Sequence, residues 1–158
     1  METGLNWYAV KVFWRRLEPL RKTLESQGIE YYAQTVLPSY VFVHTDRASV
    51  IKLRADCFGS LYVYSDVKTK EPLIVPDKEL EIFRIVTSAG DTGLEFLDDD
   101  PARYRKGDLV RVTGGPFKGA EGYVVRIRKD RRLVVTVSGV AAIATSFIPP
   151  SLLEKVEG

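Results

Sequence analysis

The chain reads as an α+β protein built in two parts. Three observations predict this. Residues 1–90 alternate β-branched and aromatic runs with segments of helical spacing. Residues 88–102 break that pattern with Gly90, Gly93, the run Asp98-Asp99-Asp100 and Pro101. Residues 104–127 then form a strand, a glycine-rich loop and a second strand. The expected division is 5–90, an acidic flexible linker at 91–103, and 104–158.

In the first part, Trp7 to Phe13 is aromatic and β-branched and predicts a strand. Leu17, Leu20 and Leu24 follow helical spacing, and Gly28 supplies a stop. Pro19 is tolerated only in the first turn, so this helix begins near Leu17. Ile29 to Val36 predicts a second strand. Tyr40 to His44, apolar on both faces, predicts a central third. Asp46 can cap a short helix that carries Val50 and Leu53 on one face. Leu61 to Tyr64 is a fourth strand. Pro76-Asp77 opens a third helix with Leu80, Phe83 and Val86 along one stripe. The order is β-α-β-β-α-β-α, with helices on a mostly antiparallel sheet.

In the second part, Leu109 to Val112 and Tyr123 to Ile127 are strands around the loop Thr113 to Gly119, which has Pro116-Phe117 at its centre. Val110 and Val112 share one side of their strand, and Val125 and Ile127 one side of theirs. Arg111, Arg126 and Arg128 stand opposite. Gly114 and Gly119 have P-loop spacing, but Ala120-Glu121 occupy the Lys-Ser/Thr positions and a strand follows instead of a helix, against a nucleotide cradle. Arg126, Arg128, Lys129, Arg131 and Arg132 form a basic hairpin with Asp130 at its turn. Contact with nascent RNA, contact with an acidic protein face and a solvated tip are its three readings.

Composition narrows the function. Of 158 residues, 45% are hydrophobic and 28% charged, which suits a packed core with a soluble surface. No apolar run approaches the ~20 residues of a membrane span, and the start METGLNWYAV has no secretory pattern. Cys57 stands alone, which fits a reducing cytoplasm. The net charge of +2 divides into +1 over residues 1–90, −4 over 91–103 and +5 over 104–158. That asymmetry predicts a polyanionic or acidic partner for the second part. His44, the one histidine, has no Ser, Cys or paired carboxylate at a recognisable spacing, so no catalytic constellation is predicted. One His and one Cys cannot build a zinc site. The Asp98–Asp100 run reads as a solvated connector instead of a cation loop. No metal and no cofactor are expected.

The segment YRKGDLVRVTGGPFKGAEGYVVRI (104–127) resembles the KOW motif, which opens a small SH3-like β-barrel. Read with the WYAV strand, the helix ending in Gly28-Ile29-Glu30, the run LPSYVFV (37–43) and the stretch PLIVPDKEL (72–80), the whole chain resembles the NusG family of transcription elongation factors. In that family an NGN domain, an α/β sandwich, precedes a KOW domain. The resemblance implies that the first domain docks on the β′ clamp helices of RNA polymerase and suppresses pausing and termination. Lys11, Leu37, Pro38, Tyr40 and Phe42 would line the docking depression; filling the core is the other reading of Tyr40 and Phe42. It also implies that the KOW domain recruits a small-subunit ribosomal protein or a termination factor through Pro116, Phe117 and Val140. For Phe117 an exposed anchor and a barrel lid are the two readings. Ser39 stands where the general family member has Gly, and Ala33-Gln34-Thr35-Val36 runs straight into Leu37 without the usual charged connector. The short connector weakens any DNA-reading role for that hairpin tip. The Ser39 change, the acidic linker and the PLIVPDKEL wording resemble the specialised UpxY-type paralogues, antiterminators of long operons in gut anaerobes. A ribosome-associated KOW protein that binds rRNA is the alternative; such proteins are usually far more basic.

Overall fold

The computed structural model describes residues 4–13, 16–33, 39–57, 59–90, 93–98, 107–127 and 129–156. The chain divides into two compact units, Met1–Pro76 and Asp77–Gly158.

The first unit holds strand β1 (Asn6–Val12), helix α1 (Leu17–Ser26), β2 (Glu30–Ala33), β3 (Tyr40–Thr45), α2 (Arg47–Asp56), β4 (Leu61–Val63) and β5 (Ile74–Val75). Its sheet runs β2-β3-β1-β4, with β5 also pairing β1, and every pairing is antiparallel. The two-residue strand β5 is too short for any period to announce, and it was not expected. Helix α1 ends as its residues dictate: Gly28 takes φ +68°, and the Ile29 N–H donates to the Leu24 carbonyl at 2.9 Å. Helix α2 is capped by Asp46, whose Oδ1 accepts from the Ser49 N–H at 2.7 Å. Those backbone and side-chain hydrogen bonds from Ser49 favour the carboxylate and lower the Asp46 pKa. Leu20 and Leu24 of α1 and Val50 and Leu53 of α2 pack on Tyr8, Val10, Val12, Val41, Val43, Leu61 and Val63. Strand alternation places those seven residues on one face of the sheet.

The second unit begins with α3 (Asp77–Ser88), followed by β6 (Glu95–Asp98), β7 (Leu109–Val112), β8 (Glu121–Ile127), β9 (Asp130–Val137), β10 (Ala141–Phe147) and β11 (Leu153–Lys155). The strands form one antiparallel sheet in the order β11-β7-β8-β9-β10-β6. Register shifts in β10, between Ala142 and Ile143 and again between Ala144 and Phe147, bend that strand. Val134, Ala142 and Ala144 make a buried cluster against Leu97, Val125 and Ile127.

Two observations differ from the division expected from sequence. The boundary falls at 76/77, not at 90/91, so α3 groups with the later strands. Polar contacts account for this: the Glu79 carboxylate accepts from the Ser138 backbone N–H at 2.7 Å and from its hydroxyl at 3.0 Å. Lys78 Nζ lies 3.2 Å from Glu121 Oε1. Part of the expected linker is also a strand. β6 pairs with β10, Leu97 packs on the buried cluster, and Glu95 Oε1 accepts from Arg132 Nη1 at 3.0 Å. The acidic composition of 91–103 hid the short apolar pair Phe96-Leu97.

Candidate functional site

The face of the first sheet opposite the helices is aromatic. Antiparallel partners share a face, so the pairs Trp7 with His44, Ala9 with Phe42, and Lys11 with both Tyr40 and Tyr62 stand together on it. Trp7 and His44 stack at 4.7 Å between ring centroids. The Tyr40 and Tyr64 rings lie 6.1 Å apart and 16° from parallel, and their hydroxyls meet at 3.3 Å. Tyr62 meets Tyr64 edge to face at 5.2 Å. Lys11 Nζ sits 5.9 Å from the Tyr40 ring centroid, within reach of a cation–π contact.

This arrangement decides between the readings of the Tyr40 and Phe42 pair in one respect. Neither residue belongs to the helix-packed core. Both are nonetheless buried, Tyr40 at 6% and Phe42 at 2% exposure. The accessible aromatic of the face is Tyr62, at 52%. Sequence reasoning read Tyr62 only as part of a strand; its alternation with Leu61 and Val63, both buried, was the signal that it turns outward. Leu37 and Pro38 lie outside the described residues.

His44 finds a carboxylate after all: Nδ1 lies 2.9 Å from Glu30 Oε1. The register that places Glu30 opposite His44 supplies it, and no linear spacing could have announced it. The pair sits beside the stacked Trp7 ring. Cys57 is half-buried, and burial pushes its thiol pKa up, against a reactive thiolate.

In the second unit the glycine loop folds inward. Gly119 takes φ +94° and donates to the Val112 carbonyl at 2.9 Å, while the Ala120 N–H donates to the Phe117 carbonyl at 2.9 Å. Phe117 is 6% exposed, so the exposed-anchor reading gives way to the barrel lid: the loop's own turn points the ring into the unit. Val140 is fully buried in the turn between β9 and β10, and cannot present its side chain to a partner in this conformation. Of the three expected recruiting residues, Pro116 alone is exposed.

The basic hairpin divides in the same way. Arg132 is internal: Nε donates to the Thr145 carbonyl at 2.5 Å, Nη1 to Glu95, and Nη2 to the Gly93 carbonyl. It is therefore a structural fork and not a free cation. Arg111 is likewise held by Glu121 and Glu154, each at 3.2 Å, and hydrogen bonding to Glu121 raises its pKa. Arg126, Lys129 and Arg131 are exposed. Arg128 lies outside the described residues.

Comparison with known proteins adds three findings. The family model described as KOW motif matches residues 106–138. The large ribosomal subunit protein uL24 of Spiroplasma citri is 39% identical over 44 residues, 28% of this chain and 74% of that protein. Among solved structures, that of the domain interaction in Thermotoga maritima NusG is similar over 97% of this chain and 98% of its own, at 20% identity and a TM-score of 0.49. The MjSpt4:Spt5 complex in conformation A follows at 96% and 98% coverage, 16% identity and a TM-score of 0.33. None of the described helices is long and apolar enough to cross a membrane. The chain belongs to the KOW-motif proteins.

Proposed function

We propose that the chain is a transcription elongation and antitermination factor that binds RNA polymerase through its first unit, with the KOW unit taking a second partner. The observation that carries this is the aromatic sheet face of β1, β3 and β4. It stands apart from the helix-packed core, carries Lys11 over the Tyr40 ring, and presents Tyr62 to solvent. Aromatic anchors flanked by a cation are the usual composition of an interface hot spot. In this reading the clamp helices of the polymerase β′ subunit occupy the face. Binding one polymerase conformation better than another shifts the population toward the pause-resistant state. The protein acts by binding and not by catalysis, and the cytoplasm is where it would work.

The test is equilibrium binding of purified RNA polymerase to the full chain. Tyr62→Ala should weaken it about 30-fold, the loss of one anchor worth ~2 kcal/mol. Tyr62 is exposed, so the variant stays folded. Wild-type affinity in that variant, or no affinity in the parent, would refute the docking face.

One finding favours a second reading. The identity to uL24 covers 44 residues and keeps open a ribosome-associated protein that contacts rRNA. Co-purification separates the two: polymerase subunits support the first, large-subunit rRNA the second.

A further inference from the structure

Strand β6 joins the second sheet only at its edge, beside β10. It has four residues, fewer than the usual ~5–6. Among the described residues its pairing is short: Glu95, Phe96 and Asp98 meet Ala144, Ile143 and Ala142, across a register shift in β10. Few ladder bonds and a bulged register mark a part of a fold that opens readily. Glu95 and Leu97 stand two apart and share a face of the strand, and each has a receptor in the barrel. Leu97 packs on the cluster of Val134, Ala142 and Ala144, two of whose members are alanines that leave room for it. Arg132 Nη1 donates to Glu95 Oε1 at 3.0 Å, and Nη2 donates to the Gly93 carbonyl. The Arg132 side chain is 11% exposed, so its charge requires a carboxylate. A strand added at a sheet edge, with one side chain in an apolar slot and another on a cation, is the way edge-docked peptides are held.

We infer that the β10 edge is a docking site for an extended segment of a partner protein, and that β6 is its resident occupant. The segment carries a carboxylate and, two residues on, a leucine-like aliphatic side chain. It displaces β6, places the carboxylate on Arg132 and fills the slot between Val134, Ala142 and Ala144. A second copy of this chain carries the same pattern, but its own β6 would first have to leave its own edge. Such an exchange gains no pairing and still loses the freedom of two molecules, whereas a partner strand brings pairing of its own. The inference rests on the reading that the KOW unit takes a second partner, and gives that partner a chemistry. It is separable from polymerase docking, because β6 and β10 both belong to the second unit.

Fluorescence anisotropy of the full chain with a labelled peptide of its own residues Gly90–Asp100 tests it, with no polymerase present. In the parent, β6 competes, and the apparent affinity is reduced to the fraction of chains whose edge is open. Glu95→Gln with Leu97→Ala in the chain should raise that fraction and tighten the peptide about 10- to 100-fold. Either change made in the peptide instead should weaken binding to that loosened chain about 10-fold or more. These peptide changes leave the folding of the chain untouched. A peptide that keeps only the Glu and the Leu, with serine elsewhere, should bind within about 5-fold of the original, because main-chain pairing supplies the rest. Hydrogen exchange at the β6 amides of the parent should quicken when the peptide binds. No binding to the loosened chain, equal affinity for the altered peptides, or unchanged β6 exchange with peptide bound would overturn the assignment. So would a dimer of the loosened chain in light scattering, which would make a second copy the occupant.

Discussion

Gly122 lies inside β8, opposite Val110 of β7, and its missing side chain holds the second unit together. A Cβ there would stand 2.2 Å from the Val134 carbonyl oxygen, 3.0 Å from its carbon and 3.3 Å from Leu133 Cδ1. Ordinary C···O contact begins near 3.3 Å, so β9 would have to recede by about 1.1 Å. Backbone hydrogen bonds near 2.9 Å cannot stretch that far and survive. Gly122→Ala should therefore cost overpacking of about 1–3 kcal/mol and two ladder hydrogen bonds at ~1 kcal/mol each, or roughly 3–5 kcal/mol together. A unit of this length has roughly 4–12 kcal/mol of stability in all. Gly107 is the control: φ is +83° and nothing lies within 4 Å of its Cβ position, so Gly107→Ala meets dihedral strain alone, about 1–2 kcal/mol. Urea titration with hydrogen exchange at the β8 and β9 amides measures both. If Gly122→Ala costs no more than Gly107→Ala, the contact argument is refuted.

Two further outcomes follow from named contacts. Arg132→Ala removes the fork that ties β6 to β10 and should cost about 1.5–3 kcal/mol; limited proteolysis should then cut within Glu95–Asp98, which the parent resists, and unchanged resistance would assign β6 to backbone pairing alone. The Asp46 carboxylate has its pKa lowered in the fold, below 3.8, by the Ser49 hydrogen bonds, so its contribution is fully present above 3.8 and is lost as pH falls through the folded value. The melting temperature of Asp46→Ala should lie below the parent at neutral pH, with a gap that narrows below 3.8, and a gap independent of pH would exclude the charged cap.

Where a segment's own residues determine its shape, the sequence was legible. Pro19, Gly28 and Asp46 act within a few residues of where they stand, so helix limits and caps followed from them. The alternation of β7 and β8 was legible because the side-chain period is local. Partners set by register were not. Glu30 and Lys11 acquire their significance from residues on other strands, His44, Tyr40 and Tyr62. Phe117 shows the limit most plainly: a phenylalanine in a glycine-rich turn has two conformations that its neighbours cannot choose between, and hydrogen bonds from Gly119 and Ala120 turn it inward. The strand β6 was hidden for another reason, because its apolar pair is flanked by carboxylates that dominate any average of composition.

Charge illustrates how far composition can mislead about a binding surface. The excess of +5 over residues 104–158 suggested one basic hairpin acting as a unit. The fold removes Arg132 from that set by hydrogen-bonding each of its three side-chain nitrogens, and it ties Arg111 to two glutamates. Of the described hairpin residues, Arg126, Lys129 and Arg131 stay exposed. Counterion release scales with the phosphates actually neutralised, so any affinity for a polyanion should follow these exposed side chains and not the net charge of the domain. Replacing Arg111 or Lys155, whose charges face carboxylates already, would change the net charge by the same amount as replacing Arg131 and leave that affinity nearly where it was.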